Sequence, residues 1–128
     1  MRTNEFRKVE RITSQKLIDE LFGGGRSKSF AAFPIRAVWS LRQRGAHDVP
    51  VQVLVSVPKK RLHHAVDRNR TKRQMREAYR LSKQPLLAVL PAEQSLAIAL
   101  IWQSDRLESS SLIATRMAKL ISRICESL

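Results

Sequence analysis

The sequence predicts an α+β fold organised around one core. Three observations lead there. Apolar residues recur at helical spacing near both ends and in the middle of the chain, two stretches between residues 34 and 57 alternate, and residues 96–102 are continuously apolar. At 128 residues, 43% of them hydrophobic, the chain can bury a real core and fits one domain spanning residues 1–128.

The first element is a short helix that Thr13 or Ser14 can cap, with Leu17, Ile18, Leu21 and Phe22 on its apolar side. Gly23-Gly24-Gly25 ends it, since glycine readily takes the left-handed cap conformation. From Pro34 to Leu41, Ile35, Ala37, Trp39 and Leu41 share one face and Arg36, Val38 and Ser40 the other. A turn-like segment, Gln43 to Asp48, separates this from Val51, Val53, Val55 and Val57, which alternate with Gln52, Leu54 and Ser56. The two stretches read as an antiparallel hairpin with one apolar and one mixed face. Pro58 ends the second strand. Leu96 to Trp102 reads as a buried central strand. Ser109 or Ser110 can cap a last helix, apolar along Leu112, Ile113, Met117, Leu120, Ile121 and Ile124.

Between the strands lies the most informative stretch, Arg68 to Arg80. As a helix it places Thr71, Met75, Ala78 and Tyr79 in one apolar sector and Asn69, Arg73, Arg76 and Arg80 in a neighbouring one, with Arg68 and Lys72 at the border. One side can dock on a core while the other presents a row of guanidinium groups. Arginine forks match phosphate oxygens bidentately, so the row suits a polyanion. Charge distribution supports this over a merely solvated face. The chain carries 24 Lys+Arg and 11 Asp+Glu, a net charge of +13. Residues 59–83 supply ten basic residues against Asp67 and Glu77, whereas residues 84–128 are balanced. Charge concentrated in this way is a footprint for an anionic partner, nucleic acid first and an anionic membrane surface second.

Catalytic chemistry finds little support. The triple glycine lacks the Gly-Lys-Ser/Thr and the preceding strand of a phosphate loop. His47 stands in a turn, and the adjacent His63 and His64 lack the spacing of metal ligands. Cys125 reads as a packing residue on the last helix, and a single cysteine suits a reducing cytosol. The carboxylates are scattered, and Glu77 is placed to pair with Arg73 or Arg80. No apolar run is long enough to span a bilayer, and the first residues, Met1 to Arg7, lack a signal-peptide core. The expectation is a small cytoplasmic protein with no catalytic residue and no metal site of its own.

From Ala65 to Arg80 the sequence resembles the protein component of bacterial ribonuclease P, whose long helix carries an Ala-Val-x-Arg-Asn-Arg-x-Lys-Arg-x-x-Arg-Glu signature. Ser56-Val57-Pro58-Lys59-Lys60 matches the family's preceding strand end, and Arg11-Ile12-Thr13, Phe22 and Ser29-Phe30 match its N-terminal segment. The resemblance runs over residues 7–125. It implies a two-layer α–β sandwich in the order α-β-β-β-α-β-α with a left-handed β–α–β crossover, similar to the second domain of a small-subunit ribosomal protein. It also implies an accessory subunit of a ribonucleoprotein endonuclease that matures the 5′ end of transfer RNA. In that family the chemistry belongs to a large RNA holding magnesium, and the protein alone binds no cofactor. The implied partners are that catalytic RNA and precursor transfer RNA, with no membrane and no obligate protein partner.

Carried over by position, Arg68, Asn69, Arg70, Lys72, Arg73, Arg76 and Arg80, with Lys59 and Arg61, are expected to contact the catalytic RNA. Asn69 is suited to a base edge or to bracing the preceding loop. Ile18, Phe22, Val38, Ser56 and Lys60 match a cleft that holds the 5′ leader, between the first helix and the open sheet face. Ile18 and Val38 stand where aromatic residues are common, which weakens base stacking. Arg26 and Lys28 are further candidate phosphate contacts, while Trp39 and Tyr79 read as core. The loop Arg61-Leu62-His63-His64 departs from the family, being one residue longer and without the usual glycine. His63 and His64 read as solvated loop residues. The alternative is a generic basic RNA-binding or ribosome-associated protein. A peripheral membrane protein is disfavoured because the basic sector adjoins a core face.

Overall fold

The computed structural model describes residues 10–23, 25, 27–45 and 49–128. Gly24, Arg26, His47 and the segment Met1 to Arg7 lie outside the described residues. The elements are α1 (Gln15–Gly23), β1 (Lys28–Ala32), β2 (Ile35–Gln43), β3 (Val51–Ser56), α2 (Ala65–Ser82), α3 (Gln84–Val89), β4 (Gln94–Trp102) and α4 (Ser110–Ser127). The fold is α+β, as expected. Ser14 is the residue that caps α1, its Oγ accepting from the Leu17 amide at 3.4 Å. Ser109 caps α4, accepting from the Leu112 amide at 3.1 Å. Past α1, Gly25 sits at φ +72°, a conformation that costs little only without a Cβ.

The sheet order is β1-β2-β4-β3, which overturns the expected hairpin of β2 and β3. β4 lies between them, antiparallel to β2 and parallel to β3. The reason lies in β4 itself. Residues 95–100 are buried without a break, so this strand needs cover on both faces and a neighbour on each edge. β2 and β3 each offer one well-buried face and suit the flanking places. The short α3 is a second departure from the expected order. Pro85 stands at its start, where a missing amide donor does no harm, and it stops α2 from continuing.

Alternation along the strands sorts their side chains into two clusters rather than one core. Ile35, Ala37, Trp39, Val53, Val55, Ile98, Leu100 and Trp102 face the layer formed by α2, α3 and α4. Trp39 and Tyr79 belong to this cluster, as expected. Val38, Ala97 and Ala99 face the opposite way and, with Ile12, Leu17 and Leu21, form a smaller cluster under α1. Two alanines at neighbouring inward positions of β4 leave room for α1 to settle on that face. Ala99→Leu is therefore expected to lift α1 and cost about 1–3 kcal/mol, as overpacking of a filled site does. Urea denaturation checks this, and unchanged stability would mean that α1 does not rest on β4.

Candidate nucleic-acid interface

α2 buries Thr71, Met75, Ala78 and Tyr79 against the core, the sector expected from spacing. Its remaining surface carries the basic residues. Asn69, Arg70 and Arg73 are exposed, and Lys72 and Arg76 are half-buried. Among the described residues, no carboxylate lies within ion-pair distance of Arg70, Lys72, Arg73 or Arg76. Arg76 is held below the ordinary arginine pKa, by partial burial first and by the Arg11 guanidinium second. It stays charged all the same, because arginine is not deprotonated in proteins.

The rest of the row is committed differently. Arg68 bends back from the start of α2, its Nη1 donating to the carbonyls of Leu62 at 3.0 Å and His63 at 2.9 Å. It braces the Arg61–His64 loop, a task for which Asn69 was the sequence candidate. Leu62 seals this loop onto the core, while His63 and His64 are exposed. Arg80 forms a two-pronged pair with Glu77, Nη2 to Oε1 at 2.6 Å and Nε to Oε2 at 3.1 Å. That hydrogen bond is the main cause that lowers the Glu77 pKa and raises that of Arg80. Arg61 reaches Asp105 at 3.2 Å. Lys59 and Lys60 are exposed in the turn that leaves β3 and leads into α2, so they and the start of the basic helix share one end of the fold.

The expected cleft residues fall on the α1 side of the sheet. Ile18 is half-buried beside the smaller cluster, and Phe22 is 53% exposed at the end of α1. Val38 is buried within that cluster, so it forms part of the floor rather than an open contact. Ser56 is half-buried on the same face as Leu54, and Lys60 lies beyond the strand end. Two residues missed from sequence complete this surface. Arg36 is exposed on the Val38 face of β2, with its Nε donating to Ser29 Oγ at 2.8 Å. Ile101, opposite Arg36 in the register, is half-buried beside it. Alternation had already placed Arg36 on the open face; Ile101 was hidden inside an unbroken apolar run. Lys28, by contrast, is directed to the helical side, its ammonium 5.4 Å from the centre of the Trp39 ring.

The arrangement thus offers, on one side of the sheet, a cationic helix face whose Arg70, Lys72, Arg73 and Arg76 meet no carboxylate among the described residues and, on the other, a mixed apolar and polar surface around α1. It can clamp phosphates and cradle an unpaired strand, and among the described residues no group of His, Cys, Asp and Glu is arranged to hold a metal ion.

A family model described as Ribonuclease P matches residues 6–124. The ribonuclease P protein component of Porphyromonas gingivalis is 42% identical over 120 residues, covering 91% of this chain and 84% of that protein. That of Chlorobium phaeobacteroides is 40% identical over 92 residues, covering 70% of this chain and 61% of that one. Among solved structures, the RNase P protein of Staphylococcus aureus is similar with a TM-score of 0.67 at 19% identity, covering 91% of this chain and 95% of that one. The RNase P protein of Thermotoga maritima has a TM-score of 0.66 at 20% identity, covering 89% and 96%. Likeness at such low identity carries the fold; the family model and the Porphyromonas relative carry the lineage. The chain belongs to the ribonuclease P protein family.

Proposed function

We propose that this chain, a protein subunit of the ribonuclease P ribonucleoprotein, holds the catalytic RNA with α2 and guides the 5′ leader of precursor transfer RNA along the α1 side of the sheet. The observation that carries this reading is the row Arg70, Lys72, Arg73 and Arg76, which no described carboxylate neutralises. Arg68, Arg80 and Arg61 support that row by fixing the loop and the helix surface. Asn69, Lys59 and Lys60 extend it at the start of the helix.

On the opposite side of the sheet, Phe22 is an exposed aromatic able to stack on a leader base, Ile18, Val38 and Ser56 lie on that same side, and Lys60 lies beyond the end of β3. The hydrolysis of the phosphodiester is assigned to magnesium held by the RNA, so this chain binds and orients. Its place of work is the cytoplasm. Among the described residues no helix is long and apolar enough to cross a membrane.

The test is reconstitution at low magnesium with a bacterial ribonuclease P RNA and precursor transfer RNA. Restored cleavage at the mature 5′ end is the expected result; no restoration with a cognate RNA overturns it in favour of a generic RNA-binding protein. Phe22→Ala is expected to weaken the assembled enzyme's preference for precursor over mature transfer RNA by roughly 5–150-fold, the value of one base–aromatic stack. Equilibrium binding of the two RNAs measures the ratio, and an unchanged ratio removes Phe22 from the leader path.

A further inference from the structure

Strand register sets four side chains in one row across the α1 side of the sheet. Ala31 of β1 stands opposite Arg36 of β2, Arg36 opposite Ile101 of β4, and Ile101 opposite Ser56 of β3. Neighbouring strands lie about 4.8 Å apart, so the row crosses roughly 14 Å of sheet. The adjoining row is Ser29, Val38, Ala99 and Leu54, and α1 settles there, burying Val38 and Ala99. Glu20 of α1 also meets Arg42, near the other end of β2 from Arg36, at 3.6 Å. The Arg36 row is left open: Ala31 and Arg36 are exposed, and Ile101 and Ser56 are half-buried. Within it the guanidinium is held in place. Its Nε donates to Ser29 Oγ at 2.8 Å, which draws the group toward β1 and leaves the two terminal amino groups for a ligand. Among the described residues that serine is the guanidinium's one hydrogen-bond partner, and no carboxylate lies within ion-pair distance of it. A fixed fork of donors without an acid beside it matches the oxygens of an incoming phosphate.

We propose that Arg36 clamps a phosphate of the 5′ leader at the far end of its path across the sheet, with Ser29 as the residue that positions the fork. The sheet order puts β3 at one edge and β1 at the other, and α2 packs against β3. A leader leaving a catalytic RNA held on α2 therefore meets Lys60 and Ser56 first, crosses Ile101 and reaches Arg36 last. The inference rests on the leader-binding reading above and adds a direction and an end point to it. The length of leader that the protein engages is set by the distance to Arg36.

The experiment assembles the full chain carrying Arg36→Gln with the catalytic RNA. Its affinity is measured for mature transfer RNA and for precursors whose leaders lengthen one nucleotide at a time, over a range of salt. Removing one charge-assisted hydrogen bond to phosphate is expected to weaken binding about tenfold once the leader is long enough to reach Arg36. Shorter leaders and mature transfer RNA should bind as they do to the parent, a step that a purely structural role of Arg36 would not produce. For the long leaders, log K against log salt should become shallower by about 0.7, the value of one single-strand phosphate. Arg36→Lys keeps the charge and is expected to recover most of that slope. Ser29→Ala is expected to give a smaller loss with the same length dependence, and Ser29→Thr, which keeps the hydroxyl, to restore it. An equal loss at every length, mature transfer RNA included, overturns the clamp. So does a loss confined to one base identity with an unchanged salt slope, which would make Arg36 a base reader. The parent separates the two levels. If it binds precursor no better than mature transfer RNA, the leader-binding reading itself fails; if it prefers precursor and Arg36→Gln keeps that preference at every length, only the clamp fails.

Discussion

Replacing Arg70, Arg73 and Arg76 together by glutamine is expected to weaken binding to the catalytic RNA by on the order of 1000-fold at moderate salt. Each residue presents a guanidinium group that no described carboxylate neutralises, so among the described residues none of this charge is spent on an ion pair. A charge-assisted hydrogen bond to phosphate contributes on the order of 1.5 kcal/mol, and removing three compounds to that range. The salt dependence should flatten as well, by roughly 0.7–0.9 in log–log slope for every phosphate no longer neutralised. Arg73→Ala alone is expected to cost about tenfold on the same scale. Glutamine keeps the helix propensity of arginine and avoids an opposite charge, so far-ultraviolet dichroism should be unchanged. Filter binding from low to moderate salt, with melting monitored in parallel, makes the measurement. Parent-like affinity in a folded triple variant would mean that α2 is a solvated face and that RNA is held elsewhere.

Lys83→Met is expected to cost about 3–5 kcal/mol of folding stability, the most damaging single change that the structure suggests. Lys83 and Glu10 are both buried and bridged at 2.8 Å, so removing the ammonium takes from a buried carboxylate the cation that bridges it. Tyr79 packs into the same region; burial, and then the neighbouring Glu10 carboxylate, raise its pKa and keep the phenol neutral. That contribution is fully present below the ordinary tyrosine pKa and is lost only as pH rises beyond it. The double variant Glu10→Met/Lys83→Met removes both charges and is expected to recover most of the stability, since two apolar groups of similar volume need no partner. Denaturant titration of the parent, the single and the double variants reads the coupling. A single variant within about 1 kcal/mol of the parent would show that the pair is not held from water.

Much of α2 was legible from sequence, because its apolar and basic sectors are local properties of one helix. Thr71, Met75, Ala78 and Tyr79 were placed inward by 3.6-residue spacing alone, and all four are buried. Capping was legible for the same reason: a hydroxyl three residues ahead of an amide is a short-range match, met by Ser14 and Ser109. The hairpin of β2 and β3 was misread because two alternating stretches joined by a turn look alike whether they pair with each other or flank a third strand. Only β4, with buried residues on both faces, decides between these, and it arrives some forty residues later along the chain. α3 was missed because six residues are too few to show a period.

The candidate interface divides along the same line. The identity of the basic residues, their surplus and their common helix face were set by sequence, since charge and helical spacing need no partner. Which of them remain available was decided only by folding. Arg68 is drawn to the Leu62 and His63 carbonyls, Arg80 to Glu77, Arg61 to Asp105 and Lys83 to Glu10. Those last two partners lie 44 and 73 residues away along the chain. The tertiary structure likewise buried Val38 and exposed Phe22. Spacing along a chain predicts neighbours within one turn of a helix or one strand, whereas ion pairs and burial depend on distances that exist only once the sheet order is fixed.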